Sequence, residues 1–165
     1  MSSCLVIIDV QEGFLNEYTQ QIPERLEELF QNENRFDHIV ATKFVNVKDG
    51  PFPRLMGWKK MMDPVSIKVL PVVEEHSERI FTKEGFTCFT PEFEKYLIDE
   101  NIDHLAFAGI NTDCCVLKSA CDCFERNIPL EVLLPCCAST GGPETQRAGI
   151  QVLERLIGTR QLAPR

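Results

Sequence analysis

Residues 104–126 read HLAFAGINTDCCVLKSACDCFER. The first seven residues, His104 to Ile110, form an apolar run of the kind found in strands buried on both faces. From Asp113 to Arg126 the apolar residues recur three to four positions apart, which predicts a helix. A buried strand that leads directly into a helix is the repeating unit of parallel α/β sheets.

The same alternation of strand and helix extends along the chain in both directions. Strands are predicted over 5–10, 36–45, 78–83 and 130–134, and helices begin near Pro23, Pro91 and Pro143. Strands joined through helices pair in parallel by right-handed crossovers. We therefore predict a three-layer α/β/α architecture with a mostly parallel central sheet, as a single domain over residues 1–165.

Composition limits the classes of partner. Lys plus Arg number 17 and Asp plus Glu number 25, giving a net charge of −8. This balance argues against nucleic acid or an anionic membrane as the main partner. No run approaches the roughly 20 apolar residues of a membrane span, and no secretory signal is evident. We expect a cytoplasmic protein whose eight cysteines are reduced thiols.

One long segment, residues 46–75, has no clear periodicity and contains four prolines. A loop of this length in a compact domain is typical of a lid or a subunit contact. A short helix that covers the core is the other interpretation. We expect a homo-oligomer. The segment, which contains Trp58, is where we expect the subunit contact or the lid.

Three reactive side-chain types fall at the carboxyl ends of predicted strands, where open parallel sheets bind ligands. Asp9 ends the apolar run of the first strand, Lys83 ends the third, and Cys115 lies where the helix after the fourth begins. A helix N-terminus and an ammonium favour a thiolate, and a carboxylate can accept the thiol proton. The histidines lie at or before the starts of strands, so Asp9 is the candidate base.

Three segments make the chain resemble the isochorismatase-like cysteine hydrolases. Asp9 to Phe14 resembles the family's D-x-Q-x-x-F opening, and Lys83 to Phe89 its K-x-x-[YF]-[ST]-x-F segment. Gly109 to Val116 resembles its G-x-x-T-x-x-C-V signature. Their order and spacing match across residues 4 to about 140.

The resemblance implies a Rossmann-like isochorismatase fold and assigns roles by position. Cys115, rather than Cys114, falls on the nucleophile, Asp9 on the base and Lys83 on the third member of a catalytic triad. The family usually has a cis peptide before the position of Asn111. The amides of Asn111 and Cys115 would then form an oxyanion hole.

Four residues are candidates for binding the substrate. They are Gln11, Phe14, Trp58 and Phe86. For the three aromatic residues, ordinary core packing is the alternative interpretation.

Departures from the family pattern bear on cofactors and substrate. Metal-binding nicotinamidases carry D-x-H after strand two, where this chain has Phe44 and Asn46. Phe supplies no metal ligand, and there is no nucleotide-binding glycine motif. We therefore expect no metal and no cofactor. Pro135 stands where many relatives have Asp after strand five, which leaves the substrate class open.

The sequence thus predicts a cysteine hydrolase that cleaves a C–N bond of a small amide- or carbamoyl-type substrate. Two alternatives remain: a vinyl-ether hydrolase of the isochorismatase kind, and a non-catalytic binding or structural relative.

Overall fold

The protein is described by a computed structural model that covers residues 2–32 and 34–163. Six strands form one sheet in the order β3-β2-β1-β4-β5-β6, and every neighbouring pair is parallel. The strands are β1 (Ser3–Ile8), β2 (His38–Phe44), β3 (Arg79–Lys83), β4 (His104–Ile110), β5 (Leu130–Ala138) and β6 (Leu162–Ala163). The helices are α1 (Ile22–Asn32), α2 (Pro71–His76), α3 (Pro91–Asp99), α4 (Leu117–Glu125) and α5 (Pro143–Ile157). The predicted α/β architecture with a parallel sheet is confirmed.

Helices cover both faces of the sheet. Leu5 and Ile7 of β1 pack with α1 and α2, whereas Cys4, Val6 and Ile8 pack with α3, α4 and α5. Successive strand side chains point to opposite faces, so a strand covered on both sides needs apolar residues at every position. This is why β1 reads as an unbroken apolar run. None of the helices in the described ranges is long and apolar enough to cross a membrane.

Strand β5 differs from its prediction because it continues past Pro135 to Ala138. Between the pairs Phe107–Val132 and Gly109–Cys137, β5 advances five residues while β4 advances two. The bulge leaves Pro135 exposed, which is compatible with its missing amide hydrogen. Pro135 therefore lies within the strand and not after it, which corrects the sequence interpretation; Ser139 and Thr140 follow the strand instead.

The segment between β2 and β3 forms a small third core over the carboxyl end of β2. Phe44, Phe52 and Met61 are buried together, with Trp58 packed against them. A π-helical turn over Phe52–Met56 interrupts the segment, and α2 closes it. The segment thus packs over the core, as the second of the two interpretations from the sequence expected. The π-helical turn also exposes Leu55 and Met56.

Near its carboxyl end, β4 has no room for a side chain against β1. Gly109 has φ +124°, and a Cβ atom there would lie 2.1 Å from the carbonyl oxygen of Ile8. Only glycine fits this backbone and this spacing. A cis peptide follows between Ile110 and Asn111. The helix predicted from Asp113 begins as a π-helical turn over Thr112–Val116 and continues as α4.

Candidate active site

Asp9, Lys83 and Cys115 lie close together although they come from three separate parts of the chain, directly after β1, at the end of β3 and in the turn after β4. The Nζ atom of Lys83 is 2.8 Å from Oδ2 of Asp9 and 3.4 Å from Sγ of Cys115. All three are buried, with exposed fractions of 0%, 2% and 6% for Asp9, Lys83 and Cys115. Charges are screened weakly in such a place, so their neighbours in this cluster affect the ionisation of Lys83 and Cys115.

Asp9 is held by a residue on the neighbouring strand. The hydroxyl of Thr42 donates to Oδ1 of Asp9 at 2.6 Å, and the backbone amide of Asp9 donates to the same hydroxyl oxygen at 3.1 Å. Asp9 adopts a positive φ of 49°, which Asp tolerates better than most residues but which still needs support from its surroundings. Thr42, a buried polar residue in an apolar strand, supplies that support; sequence analysis missed it.

The ammonium of Lys83 is directed at the site by the loop that follows β3. It donates to the carbonyl oxygens of Gly85 at 2.8 Å and Phe86 at 3.1 Å. Burial by itself lowers the pKa of Lys83, but the charges of Asp9 and Cys115 outweigh it, and the pKa lies above its ordinary value. Lys83 therefore remains a cation next to the sulfur.

The pKa of the Cys115 thiol is raised, although Lys83 acts on it in the direction that the sequence analysis expected and favours the thiolate. Burial raises the pKa of Cys115 well above its ordinary value, and the charge of Asp9 raises it further. The charge of Lys83 lowers it but does not compensate. Asp9 and Lys83 therefore act on the ionisation of the Cys115 thiol in opposite directions.

The neighbouring Cys114 is in a different electrostatic setting. Its thiol donates to Asp113 at 3.5 Å. Burial and that carboxylate raise the pKa of Cys114 to about 12. Since its charged neighbour is an anion, Cys114 lacks the cation that Cys115 has.

The three histidines are engaged elsewhere. His38 Nδ1 lies 2.8 Å from Glu78, His104 Nε2 lies 3.8 Å from Glu131, and His76 Nδ1 lies 2.9 Å from the carbonyl oxygen of Val72. None of these contacts involves Cys115, which leaves the choice of base to Asp9.

The turn that carries Cys115 is fixed at Asn111. The carbonyl oxygen of Asn111 accepts from the amides of Cys114 and Val116 at 3.1 Å each. Its side-chain oxygen accepts from the amide of Thr140 at 2.6 Å, which joins the turn to the end of β5. Backbone amides at the start of a helical turn suit a developing oxyanion.

A cavity of about 470 Å³ opens above Cys115, a size suited to a small molecule. Its wall is mostly apolar and largely aromatic. The lining residues are Gly13, Phe14, Leu15, Asn16, Phe44, Phe52, Met56, Trp58, Lys60, Phe86, Asn111, Cys114, Cys115 and Thr140. Three predicted substrate-binding residues, Phe14, Trp58 and Phe86, thus lie on the wall.

Gln11 does not line this cavity, which corrects its prediction as a substrate-binding residue. Its side-chain nitrogen donates to the carbonyl oxygens of Phe44 at 2.9 Å and Ile67 at 2.8 Å. Its side-chain oxygen accepts from the amide of Phe44 at 2.8 Å. Fully buried and bonded to backbone on both sides, Gln11 ties β1 to β2 and to the segment after it.

The positions where metal-binding relatives carry ligands do not fit a metal here. The Phe44 ring packs against Phe52, with ring centroids 5.2 Å apart. Asn46 donates its side-chain nitrogen to the carbonyl oxygens of Trp58 and Lys60 at 3.1 and 2.9 Å, leaving one buried oxygen without a hydrogen-bond partner. Within residues 2–32 and 34–163, no group of three His, Cys, Asp or Glu side chains could share an ion.

Replacing Thr42 tests whether the position of Asp9 matters. Thr42→Val keeps the shape but removes the hydroxyl, and we expect kcat/KM to fall about tenfold, the effect of losing one hydrogen bond to a charged group. Thr42→Ser keeps the hydroxyl and should recover most of the loss. Urea unfolding of both variants separates this effect from a change in stability. A Thr42→Val enzyme with unchanged kcat/KM would show that Asp9 needs no such support.

Known proteins share this architecture. The sequence model of the isochorismatase domain matches residues 3–161. The nicotinamidase PncA from Bacillus subtilis superimposes with a TM-score of 0.82 at 22% identity, over 99% of this chain and 100% of that one. An isochorismatase-like hydrolase from Alkaliphilus metalliredigens gives 0.81 at 19% identity, over 98% and 94%. The N-carbamoylsarcosine amidase from Thermoplasma acidophilum gives 0.74 at 20% identity, over 93% of each. No curated protein matches the chain.

Proposed function

Because this chain belongs to the isochorismatase family, a family of hydrolases, we propose that it cleaves a C–N bond in a small amide- or carbamoyl-type substrate through a thioester on Cys115. The observation that carries the proposal is the contact of Lys83 Nζ with both Asp9 and Cys115, because Cys115 lines the cavity. A protonated thiol, a carboxylate and a cation are the groups that such a reaction needs.

The first step is attack by the sulfur on the substrate carbonyl carbon. The S–C bond forms while the thiol proton passes to the carboxylate of Asp9. The carbonyl electron pair moves onto oxygen, and the amides of Asn111 and Cys115 donate to the resulting oxyanion. Removing one donor of this kind typically costs about 2.7–4 kcal/mol of transition-state stabilisation.

The second step breaks the C–N bond. Asp9 returns its proton to the leaving nitrogen, ammonia or an amine departs, and the thioester remains on Cys115. Water then attacks the thioester with Asp9 as base, which releases the acid and restores the thiol. Lys83 keeps its charge throughout and stabilises the negative charge that moves between Asp9 and the sulfur.

Detection of the thioester tests the proposal. Ammonia release is screened over small amides, ureas and carbamoyl compounds, and the enzyme is then quenched in acid during turnover of any substrate found. We expect intact-protein mass spectrometry to show one acyl group, located on the peptide containing Cys115. Hydroxylamine should divert part of the product to the hydroxamate. Turnover with neither adduct nor hydroxamate would contradict a covalent mechanism.

A further inference from the structure

We propose that the substrate carries a negatively charged group, which Lys60 binds while the scissile carbonyl lies at Cys115. The inference rests on the proposed function and narrows its substrate class to amides that also bear an anion such as a carboxylate. Among the described residues that line the cavity, Lys60 alone has a side chain with a formal charge. The rest of the wall is aromatic, aliphatic or neutral polar.

The backbone of Lys60 is anchored to the body of the protein. Asn46 donates its side-chain nitrogen to the carbonyl oxygen of Lys60 at 2.9 Å and to that of Trp58 at 3.1 Å. The amide of Asn46 donates to the carbonyl oxygen of Met61 at 2.9 Å, and the Met61 side chain is 1% exposed. Trp58 and Lys60 are therefore held side by side on the cavity wall and do not lie on a free loop.

No described carboxylate compensates the charge of Lys60. Ion pairs within residues 2–32 and 34–163 occupy other cations, including Lys83, Lys95 and Lys118, and none includes Lys60. The chain as a whole is acidic, with a net charge of −8. Lys60 is exposed at the cavity wall, so water screens its charge and its attraction for an anion is of the size seen in surface ion pairs.

The aromatic part of the cavity wall suits an apolar body. Phe52 lies between Trp58 and Phe86, with ring centroids 5.8 and 5.1 Å apart. Aromatic edges and faces of this kind pack well against a planar or aliphatic group. The expected ligand thus combines an amide for Cys115, an apolar body for the aromatic wall and an anion for Lys60.

Ligand binding to a protein that cannot turn over tests the inference directly. Trp58 is the sole tryptophan of the chain, so its fluorescence reports on the cavity. In Cys115→Ala protein we would titrate terephthalamate against neutral terephthalamide, and succinamate against succinamide. The monoanion of at least one pair should bind about fivefold more tightly, the size expected for a partly exposed ion pair, and the preference should shrink at high salt.

Variants assign the preference to one side chain. Lys60→Met should abolish it and Lys60→Arg should keep it. Lys59→Met is the matched control, because Lys59 is an exposed neighbour outside the cavity, and it should keep the preference. Equal affinity for charged and neutral partners, a preference that survives in Lys60→Met, or no binding of either monoanion would overturn the inference. Because these experiments measure equilibrium affinities, their outcomes do not depend on whether Cys115 forms a thioester.

Discussion

Cys115→Ala should lower kcat/KM for an amide substrate by on the order of 10⁴-fold or more, the range found when an enzyme loses its nucleophile. Alanine removes the sulfur that forms the bond to carbon and leaves the cavity, Asp9 and Lys83 in place. Steady-state ammonia release measures the loss. Near-ultraviolet circular dichroism checks that the variant is folded, which we expect because a small side chain replaces another small one.

Two further cysteine variants serve as controls for Cys115→Ala. Cys114→Ala should lose far less activity than Cys115→Ala, because the Cys114 thiol contacts Asp113 and not Lys83. Cys121→Ala changes a half-buried thiol on α4 outside the cavity and should leave turnover within about twofold, as surface-type changes usually do. Full activity in Cys115→Ala would contradict thioester chemistry and favour the vinyl-ether alternative.

Asp9→Asn should lower kcat/KM by about 10³-fold, within the range for removing a general acid–base group, yet make the Cys115 thiol more reactive. The charge of Asp9 raises the pKa of Cys115 and that of Lys83 lowers it. Removing the carboxylate charge therefore lowers the pKa of Cys115 and increases the thiolate fraction at neutral pH. The rate of alkylation by iodoacetamide, followed against pH, should shift to lower pH while turnover collapses.

Lys83→Met should shift the same alkylation profile in the opposite direction. It removes the charge that lowers the pKa of Cys115, so alkylation at neutral pH slows and turnover is again lost. Asp9→Asn should speed alkylation of Cys115 and Lys83→Met should slow it, although both variants lose turnover. This difference distinguishes the role of Asp9 as a base from the role of Lys83 as a cation that stabilises negative charge. Slower alkylation in Asp9→Asn would refute the assignment of Asp9. Equal sluggishness of all eight cysteines in the parent protein would favour the non-catalytic alternative.

Asp9→Asn and Lys83→Met each also leave one member of the buried Asp9–Lys83 ion pair without its partner. The cost is about 3–5 kcal/mol in the free energy of unfolding for pairs of this kind, measurable by urea denaturation. The double variant Asp9→Asn/Lys83→Met should recover much of this stability without recovering turnover. This control distinguishes inactivity caused by unfolding from inactivity caused by chemistry.

The helices and strands whose bounds were predicted well are those whose pattern of burial is the same along their whole length. β4 has the predicted bounds, His104 to Ile110, because it is buried on both faces and apolar throughout. α5 runs from the predicted Pro143 to Ile157, where Gly158 follows with φ +85°. The predicted end of β5 was wrong because a proline in the sequence usually indicates the end of a strand, whereas the β-bulge in this strand accommodates Pro135. β6, with two residues, is too short to show any period.

Strand periodicity and the chain order of strands and helices are local properties, and they were enough to predict the parallel sheet and to bring Asp9, Lys83 and Cys115 to its carboxyl edge. The support of Asp9 by Thr42, the bonding of Gln11 to backbone, the place of Lys60 on the cavity wall and the raised pKa of Cys115 could not be predicted in this way. These depend on which groups from distant parts of the chain are buried side by side. Burial and distance set hydrogen bonding and pKa values, and neither can be read from neighbours in the sequence.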